Sequence, residues 1–206
     1  MKNKGGGFSL DGLSRYYDLV TPAERSRFRQ KQIELSGIRP GDRVLDVGCG
    51  TGSLVILAGI AVGTNGAAAG IDIAPNMIST AQRKAERAGL AVDFRVASID
   101  SLPYPDGSFD VVTSTMMFHH LPVPVKAEGL REIHRVLKAR GRFFLCDFLS
   151  PRPLLAPLAF LMFVWMTSTR YQLLGKLPDL IRECGFAAPE IVERGAFLTC
   201  CRIGKV

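Results

Sequence analysis

The stretch Val44-Leu45-Asp46-Val47-Gly48-Cys49-Gly50-Thr51-Gly52 decides how the whole chain is read. Residues 43–47 form a short apolar run ending in glycines, which reads as a buried strand, and residues 53–62 directly behind it read as a helix. Glycines at such a strand-to-helix junction let the chain turn tightly and approach a ligand closely. The helix N-terminus adds free N–H groups at the same place. The spacing Gly48-x-Gly50-x-Gly52 differs from the dinucleotide pattern GxGxxG, and no GxxxxGK[ST] phosphate loop occurs. Asp46 precedes the loop, and an acid there suits an ammonium group better than a pyrophosphate.

Working outward, three glycines at 5–7 lead into a mixed helical pattern over 10–37, and Ile38-Arg39-Pro40-Gly41-Asp42 is turn chemistry. Residues 67–73 predict a second strand. Pro75 then opens a helix with Met77, Ala81, Ala85 and Ala88 at helical spacing and Gly89 as its stop. Strands are expected over 92–97 and 109–115. A helix over 125–138 carries Leu130, Ile133 and Leu137 on one face and ends at Gly141, and a fifth strand covers 142–148. After a helix over 179–183 capped by Gly185, residues 190–193 and 196–203 read as two antiparallel strands closing the sheet edge. This rhythm predicts an α/β fold: a doubly wound, mostly parallel sheet of seven strands with an antiparallel C-terminal strand.

Composition sets the outer limits. With 206 residues, 47% of them hydrophobic and 22% charged, the chain suits a single globular domain over 1–206 rather than a disordered one. Met1 to Leu10 holds Lys2 and Lys4 but no apolar run of the kind a secretory signal needs. The five cysteines (Cys49, Cys146, Cys184, Cys200, Cys201) form no CxxC, and reduced thiols in a cytoplasmic protein are expected. A net charge of +7 raises the question of nucleic acid or anionic lipid. The densest basic group, Arg25, Arg27, Arg29 and Lys31, spreads around a helix. A solvated basic surface is therefore the favoured reading, with an anionic membrane face as the other.

Several segments in order carry a resemblance. Residues 44–52 resemble motif I of class I S-adenosylmethionine (SAM)-dependent methyltransferases, in particular the group similar to ubiquinone/menaquinone-biosynthesis C-methyltransferases (methyltransferase type 11). Arg15-Tyr16-Tyr17-Asp18 resembles the helix that closes over SAM, and Gly70-Ile71-Asp72-Ile73-Ala74-Pro75-Asn76-Met77 the second strand with its acidic end. Ala97-Ser98-Ile99-Asp100 with Leu102-Pro103-Tyr104 is similar to the third strand region. Ser108-Phe109-Asp110-Val111-Val112 with Phe118-His119-His120-Leu121 is similar to the fourth, and residues 130–148 to the fifth.

What the resemblance implies is a Rossmann-like domain with SAM as cofactor and S-adenosylhomocysteine (SAH) as product. By the family pattern, Gly48, Gly50 and Gly52 pass under the methionine part with Asp46 and Cys49 beside them. Asp72, 24 residues beyond Gly48, takes the ribose hydroxyls, for which a carboxylate is a suitable acceptor. Ile73 and Met77 pack on the adenine and Asp100 accepts from its amine, while Tyr17, Ser98, Ile99 and Thr115 complete the cofactor set. No metal ligands are expected.

Methyl transfer from a sulfonium needs mainly that the acceptor be held in line, and a base only where the acceptor loses a proton. His119 and His120 follow the fourth strand at the ligand-binding edge and are the candidate bases. Packing or a backbone hydrogen bond is the plain alternative for either, and His134 reads as structural. The acceptor is hinted at by an apolar helical insertion over 149–180. Residues 153–169 carry no charge, are broken by Pro157 and are flanked by Arg152 and Arg170. Seventeen residues lie at the short limit of the ~17–25 a membrane span requires. Three readings stand: a cap over a greasy pocket, an interfacial membrane helix, or a dimer contact, with cap or membrane favoured. Residues 1–40 would form an N-terminal helical cap.

A small lipophilic acceptor follows, quinone-like or another aromatic, with a phospholipid amine as the alternative. The protein is expected in the cytoplasm, with room for peripheral contact at the inner membrane face. A nucleic-acid methyltransferase is disfavoured, because Thr115-Met116-Met117-Phe118-His119-His120 stands where the Asn/Asp-Pro-Pro-aromatic motif of the adenine enzymes would be, and no basic-aromatic stretch stands out. A non-catalytic SAM-binding protein has the same fold and is the remaining rival.

Overall fold

The computed structural model describes residues 23–149, 167–195 and 198–206. Tyr17, most of the N-terminal cap and most of the apolar run 153–169 lie outside them. The element order is α1 (Ala23–Ser36), β1 (Arg43–Val47), α2 (Ser53–Val62), β2 (Ala67–Asp72), α3 (Pro75–Arg87), β3 (Asp93–Val96) and β4 (Phe109–Thr115). A 3₁₀ turn (Phe118–His120) follows, then α4 (Val123–Val136), β5 (Leu137–Asp147), α5 (Thr167–Leu173), α6 (Leu177–Glu183), β6 (Glu190–Arg194) and β7 (Thr199–Gly204).

The seven strands form one sheet in the order β3-β2-β1-β4-β5-β7-β6. β1 pairs in parallel with β2 and β4, β2 with β3, and β4 with β5, while β7 runs antiparallel to both β5 and β6. The chain order reverses at β1 and β4, so the carboxyl ends of these two strands flank the crevice where ligands bind in doubly wound sheets.

Alternation along the strands explains why the central ones are buried on both faces. Leu45 and Val112 face α4 and α6, joining Leu130, Ile133, Phe143, Leu145 and Ile181 in the larger core. Their neighbours Val44 and Val111 face the other way, onto Ala58 and Val62 of α2 and Ile33 of α1. With both faces covered, every residue from Val44 to Val47 is buried, Asp46 included.

Two expectations are corrected. Residues 137–141 are extended rather than the end of a helix: α4 stops at Val136, and Leu137 already pairs with Phe109 of β4. A register shift after Phe109 accommodates this longer β5, whose Lys138 ammonium reaches both carboxylate oxygens of Asp110 at 2.8 and 2.9 Å. Leu137 is apolar and fully buried, so it satisfies a strand as well as a helix face. Cross-strand pairing decides between them. The thiols are not all free, either. Cys146 of β5 and Cys200 of β7 face each other in the antiparallel ladder and form a disulfide, which a separation of 54 in sequence gave no means to foresee. Cys49, Cys184 and Cys201 are free and buried. Among the described residues no helix is long and apolar enough to cross a membrane.

Candidate functional site

The loop after β1 is shaped by backbone hydrogen bonds to β2. The N–H groups of Gly48 and Cys49 both donate to the Ile71 carbonyl at 2.9 Å. Gly48 has a φ of 75°, and a Cβ there would fall 2.4 Å from Cγ of Met117, so the residue has both the wrong conformation and no room for a side chain. Met117 thus lies on the glycine loop and connects it to the 3₁₀ turn that follows. Gly52 opens α2 under similar constraint, with Ala81 and Phe94 closing around it.

Asp72 sits at the end of β2 with both carboxylate oxygens engaged by backbone N–H groups. Oδ2 accepts the Gly50 N–H and Oδ1 the Ala74 N–H, both at 2.9 Å. This pins the carboxylate beside the glycines, and a carboxylate is an acceptor suited to a diol. Asp46 is buried behind the loop and accepts the Thr113 hydroxyl at 2.7 Å. Burial pushes its carboxyl up to about 6, against the lowering effect of the Thr113 hydrogen bond and the Arg29 guanidinium. A buried acid held near its ionisation point is suited to a cationic ligand group, which favours the carboxylate form. The same burial, reinforced by Asp46 and Asp72, keeps the Cys49 thiol neutral.

The other cofactor candidates divide. Ile73 is 63% exposed directly after Asp72, an apolar side chain open to a flat apolar partner, and Met77 is buried in the first turn of α3. Ser98 and Asp100 stand in a turn closed by the Ser101 N–H on the Ser98 carbonyl, and Asp100 is exposed. Ile99 turns its side chain into the core, against Gly129 of α4. Thr115 ends β4, buried, and accepts a hydrogen bond from Arg29 at 2.6 Å. Arg29 therefore differs from its neighbours Arg27 and Lys31, which are exposed as a solvated basic surface requires. The cradle fits SAM on three counts: backbone brought close at the glycines, a pinned carboxylate for a ribose, and a buried acid for a cation.

Across the crevice, the 3₁₀ turn and the end of β5 build a second arrangement. His119 Nδ1 lies 2.8 Å from Asp147 Oδ1, and the His119 backbone N–H donates to Oδ2 at 3.3 Å. The Phe148 N–H also donates to Asp147, at 2.7 Å, so the carboxylate is held from both sides. Both side chains are buried, and Thr169 of α5 donates its hydroxyl to the His119 carbonyl at 3.2 Å. His120 packs beside His119 with its ring tilted by 44°, at 3.9 Å between ring centroids. Burial, then the neighbouring His119, lowers His120 to about 4, so it is neutral and weakly basic near pH 7. Lys126 of α4 is buried as well, with its ammonium on the Leu121 carbonyl, and burial lowers it to about 8 against the pull of Asp147. Asp147 carried no sequence signal beyond being an acid at a strand end. It joins the site only because β4 and β5 pair in register, Thr115 opposite Cys146. Among the described residues no group of three His, Cys, Asp or Glu is placed to hold a metal ion.

Residues 44–141 match the methyltransferase-domain family. The chain is 38% identical over 142 residues to a ubiquinone/menaquinone biosynthesis C-methyltransferase of Ectopseudomonas mendocina, covering 68% of this chain and 55% of that protein. It is 27% identical over 221 residues to a demethylmenaquinone methyltransferase of Alkalihalophilus pseudofirmus, covering 95% of this chain and 93% of the relative. In the first of these the match thus spans little more than half of the relative's length. A SAM-dependent methyltransferase from Aquifex aeolicus superposes with a TM-score of 0.72 at 22% identity, over 97% of this chain and 100% of the other, which bears on the fold. With the glycine loop and pinned Asp72 matching the motif order of residues 44–148, the chain carries a methyltransferase domain over residues 44–141 and is similar to SAM-dependent methyltransferases in sequence and fold.

Proposed function

We propose that this protein transfers a methyl group from SAM to a small lipophilic ring acceptor of the quinone-precursor type, with His119 as the general base. The observation that carries this reading is the adjacency of the two arrangements. Met117 rests on Gly48 of the cofactor loop, and two residues later His119 is held by Asp147. When bound in the cradle, SAM would supply an electrophilic methyl on a good leaving group. Asp72 would hold the ribose, Asp46 would face the cationic end, and Ile73 would cover the adenine.

The chain's own residues then account for the proton. With Nδ1–H donated to Asp147, the Nε2 atom of His119 keeps its lone pair and serves as the acceptor. Asp147 fixes the ring and stabilises the cation that forms when the proton arrives, the role a carboxylate plays behind a catalytic histidine. His120, held near 4, is a poor base at neutral pH and is assigned to packing and recognition. A hydroxylated ring or activated ring carbon loses a proton on methylation and uses this base. A neutral phospholipid amine attacks through its free lone pair before any proton is lost, so it ranks second. Two relatives are named for quinone-pathway methylation, which supports the ring acceptor. The proposed workplace is the cytoplasmic face of the membrane, where such acceptors partition, with residues 149–180 as cap.

The test is calorimetric titration of SAH, followed by label transfer from methyl-labelled SAM to a reduced demethylnaphthoquinone and, separately, to phosphatidylethanolamine vesicles. SAH binding with transfer to the quinol is expected. Folded protein that ignores SAH overturns the cofactor assignment, and transfer to the vesicles alone overturns the acceptor class.

A further inference from the structure

The buried face of α5 is polar. Among its residues whose side chains are described, Thr169 and Gln172 are the two that are buried, three positions apart and so on one side of the helix. Thr169 spends its hydroxyl on the His119 carbonyl, which fixes that side of α5 against the 3₁₀ turn. Gln172 is 0% exposed, yet both its Nε2 and its Oε1 lack a hydrogen-bond partner. No other described residue has both ends of one side chain buried in this state. His120, in the 3₁₀ turn that Thr169 contacts, presents a further buried, unpartnered atom, Nδ1. A buried amide without partners is costly to the fold and is uncommon in native proteins, so its presence calls for a ligand or water to satisfy it.

We propose that Gln172 is an acceptor-recognition residue, reading a ring hydroxyl through its amide, with His120 Nδ1 as a second polar contact. This rests on the methyltransferase reading and adds the substrate chemistry to it. The amide fits a phenolic oxygen on both counts: Oε1 accepts the O–H and Nε2 donates to the oxygen's lone pair. An acceptor without that hydroxyl leaves Oε1 buried and unpaired, which is how a polar group in an apolar site discriminates strongly. Both groups lie on elements that meet His119, so a ring held by them sits beside the base.

The test uses the full chain saturated with SAH, titrated with 1-naphthol and with 1-methoxynaphthalene, for wild type and Gln172→Met. Wild type is expected to favour 1-naphthol by at least about tenfold. Gln172→Met should lose most of that preference, bind the methyl ether as wild type does, and melt no lower than wild type, because an unpaired amide has left the core. Equal affinity of wild type for the two naphthalenes overturns the proposal, as does a variant that keeps the preference. A variant that melts lower or fails to fold also overturns it, since the amide would then serve the fold. SAH binding is read first. Its absence overturns the methyltransferase reading itself, whereas SAH binding without naphthol preference removes only the role of Gln172.

Discussion

The two sides of the crevice are made of different material. On the β1–β2 side the fixed parts are backbone: Gly48 and Cys49 N–H groups on the Ile71 carbonyl, and Gly50 and Ala74 N–H groups on Asp72. On the β4–β5 side they are side chains: Asp147 on His119, Thr169 on the His119 carbonyl, Gln172 buried without partners. A cofactor common to a whole family can be held by conformation, which glycine spacing records. An acceptor particular to one enzyme is met by side chains, which can change without altering the fold. The first side should therefore govern binding of SAH and the second should govern turnover.

The largest effect expected is on His119→Ala. Loss of a positioned general base lowers kcat by about 10²–10⁴-fold, while SAH affinity stays within a few-fold of wild type. Asp147→Asn should lower kcat in the same sense by favouring the wrong ring tautomer, again with SAH binding retained. Single-turnover transfer and SAH calorimetry on the same preparations check this. Equal losses in both measurements would break the division between the two sides.

Asp72→Ala should do the reverse. Two hydrogen bonds to a charged acceptor are each worth about 1.5–3 kcal/mol, so SAH affinity should fall by about 100-fold or more. Turnover at saturating SAM should stay close to wild type. A variant that binds SAH normally would remove Asp72 from the cofactor site.

Asp46 sharpens the comparison through pH. Its folded value, raised from 3.8 to about 6, means that the protonated form is favoured in the folded state. The stability this supplies is fully present below pH 3.8 and is lost as pH rises through about 6. By pH 7 the ionised, buried carboxylate costs the ligand-free protein about 3 kcal/mol. Asp46→Asn keeps an oxygen for the Thr113 hydroxyl and removes that cost, so its Tm should exceed wild type by roughly 6–12 °C at pH 7 and match it near pH 4. SAM affinity at pH 7 should fall in the same variant. A Tm difference independent of pH would show that Asp46 does not titrate over this range.

The unequal legibility of the two sides has a physical cause. Glycines at 48, 50 and 52 and the acid at 72 act locally, through backbone conformation and position in a strand-loop unit, so the sequence exposes them. Asp147 lies 28 positions from His119, and only the β4–β5 register joins them. Arg29 looked like one more surface cation, and its contact with Thr115 spans 86 positions. Gln172 is an ordinary helix residue until burial removes its water. The start of β5 and the Cys146–Cys200 disulfide were hidden for the same reason, since both depend on which strand lies alongside.

The smallest effect belongs to the residue that joins the two sides. Met116 has a φ of 55°, the one non-glycine among the described residues with positive φ, and its N–H donates to the Cys146 carbonyl at 2.9 Å. That left-handed step turns the chain out of β4 so that Met117 lands on Gly48 and His119 reaches Asp147. A side chain in this conformation costs about 1–2 kcal/mol, and strain of this kind collects where geometry is tied to function. Met116→Gly removes the strain, offset in part by the greater freedom of glycine in the unfolded chain. Stability should therefore change by no more than about 1 kcal/mol, upward, while kcat falls a few-fold because the turn is less firmly set. Chemical denaturation and single-turnover rates on one preparation read both quantities. If turnover is unchanged while stability rises, the strain is incidental, and the position of His119 is fixed by Asp147 alone.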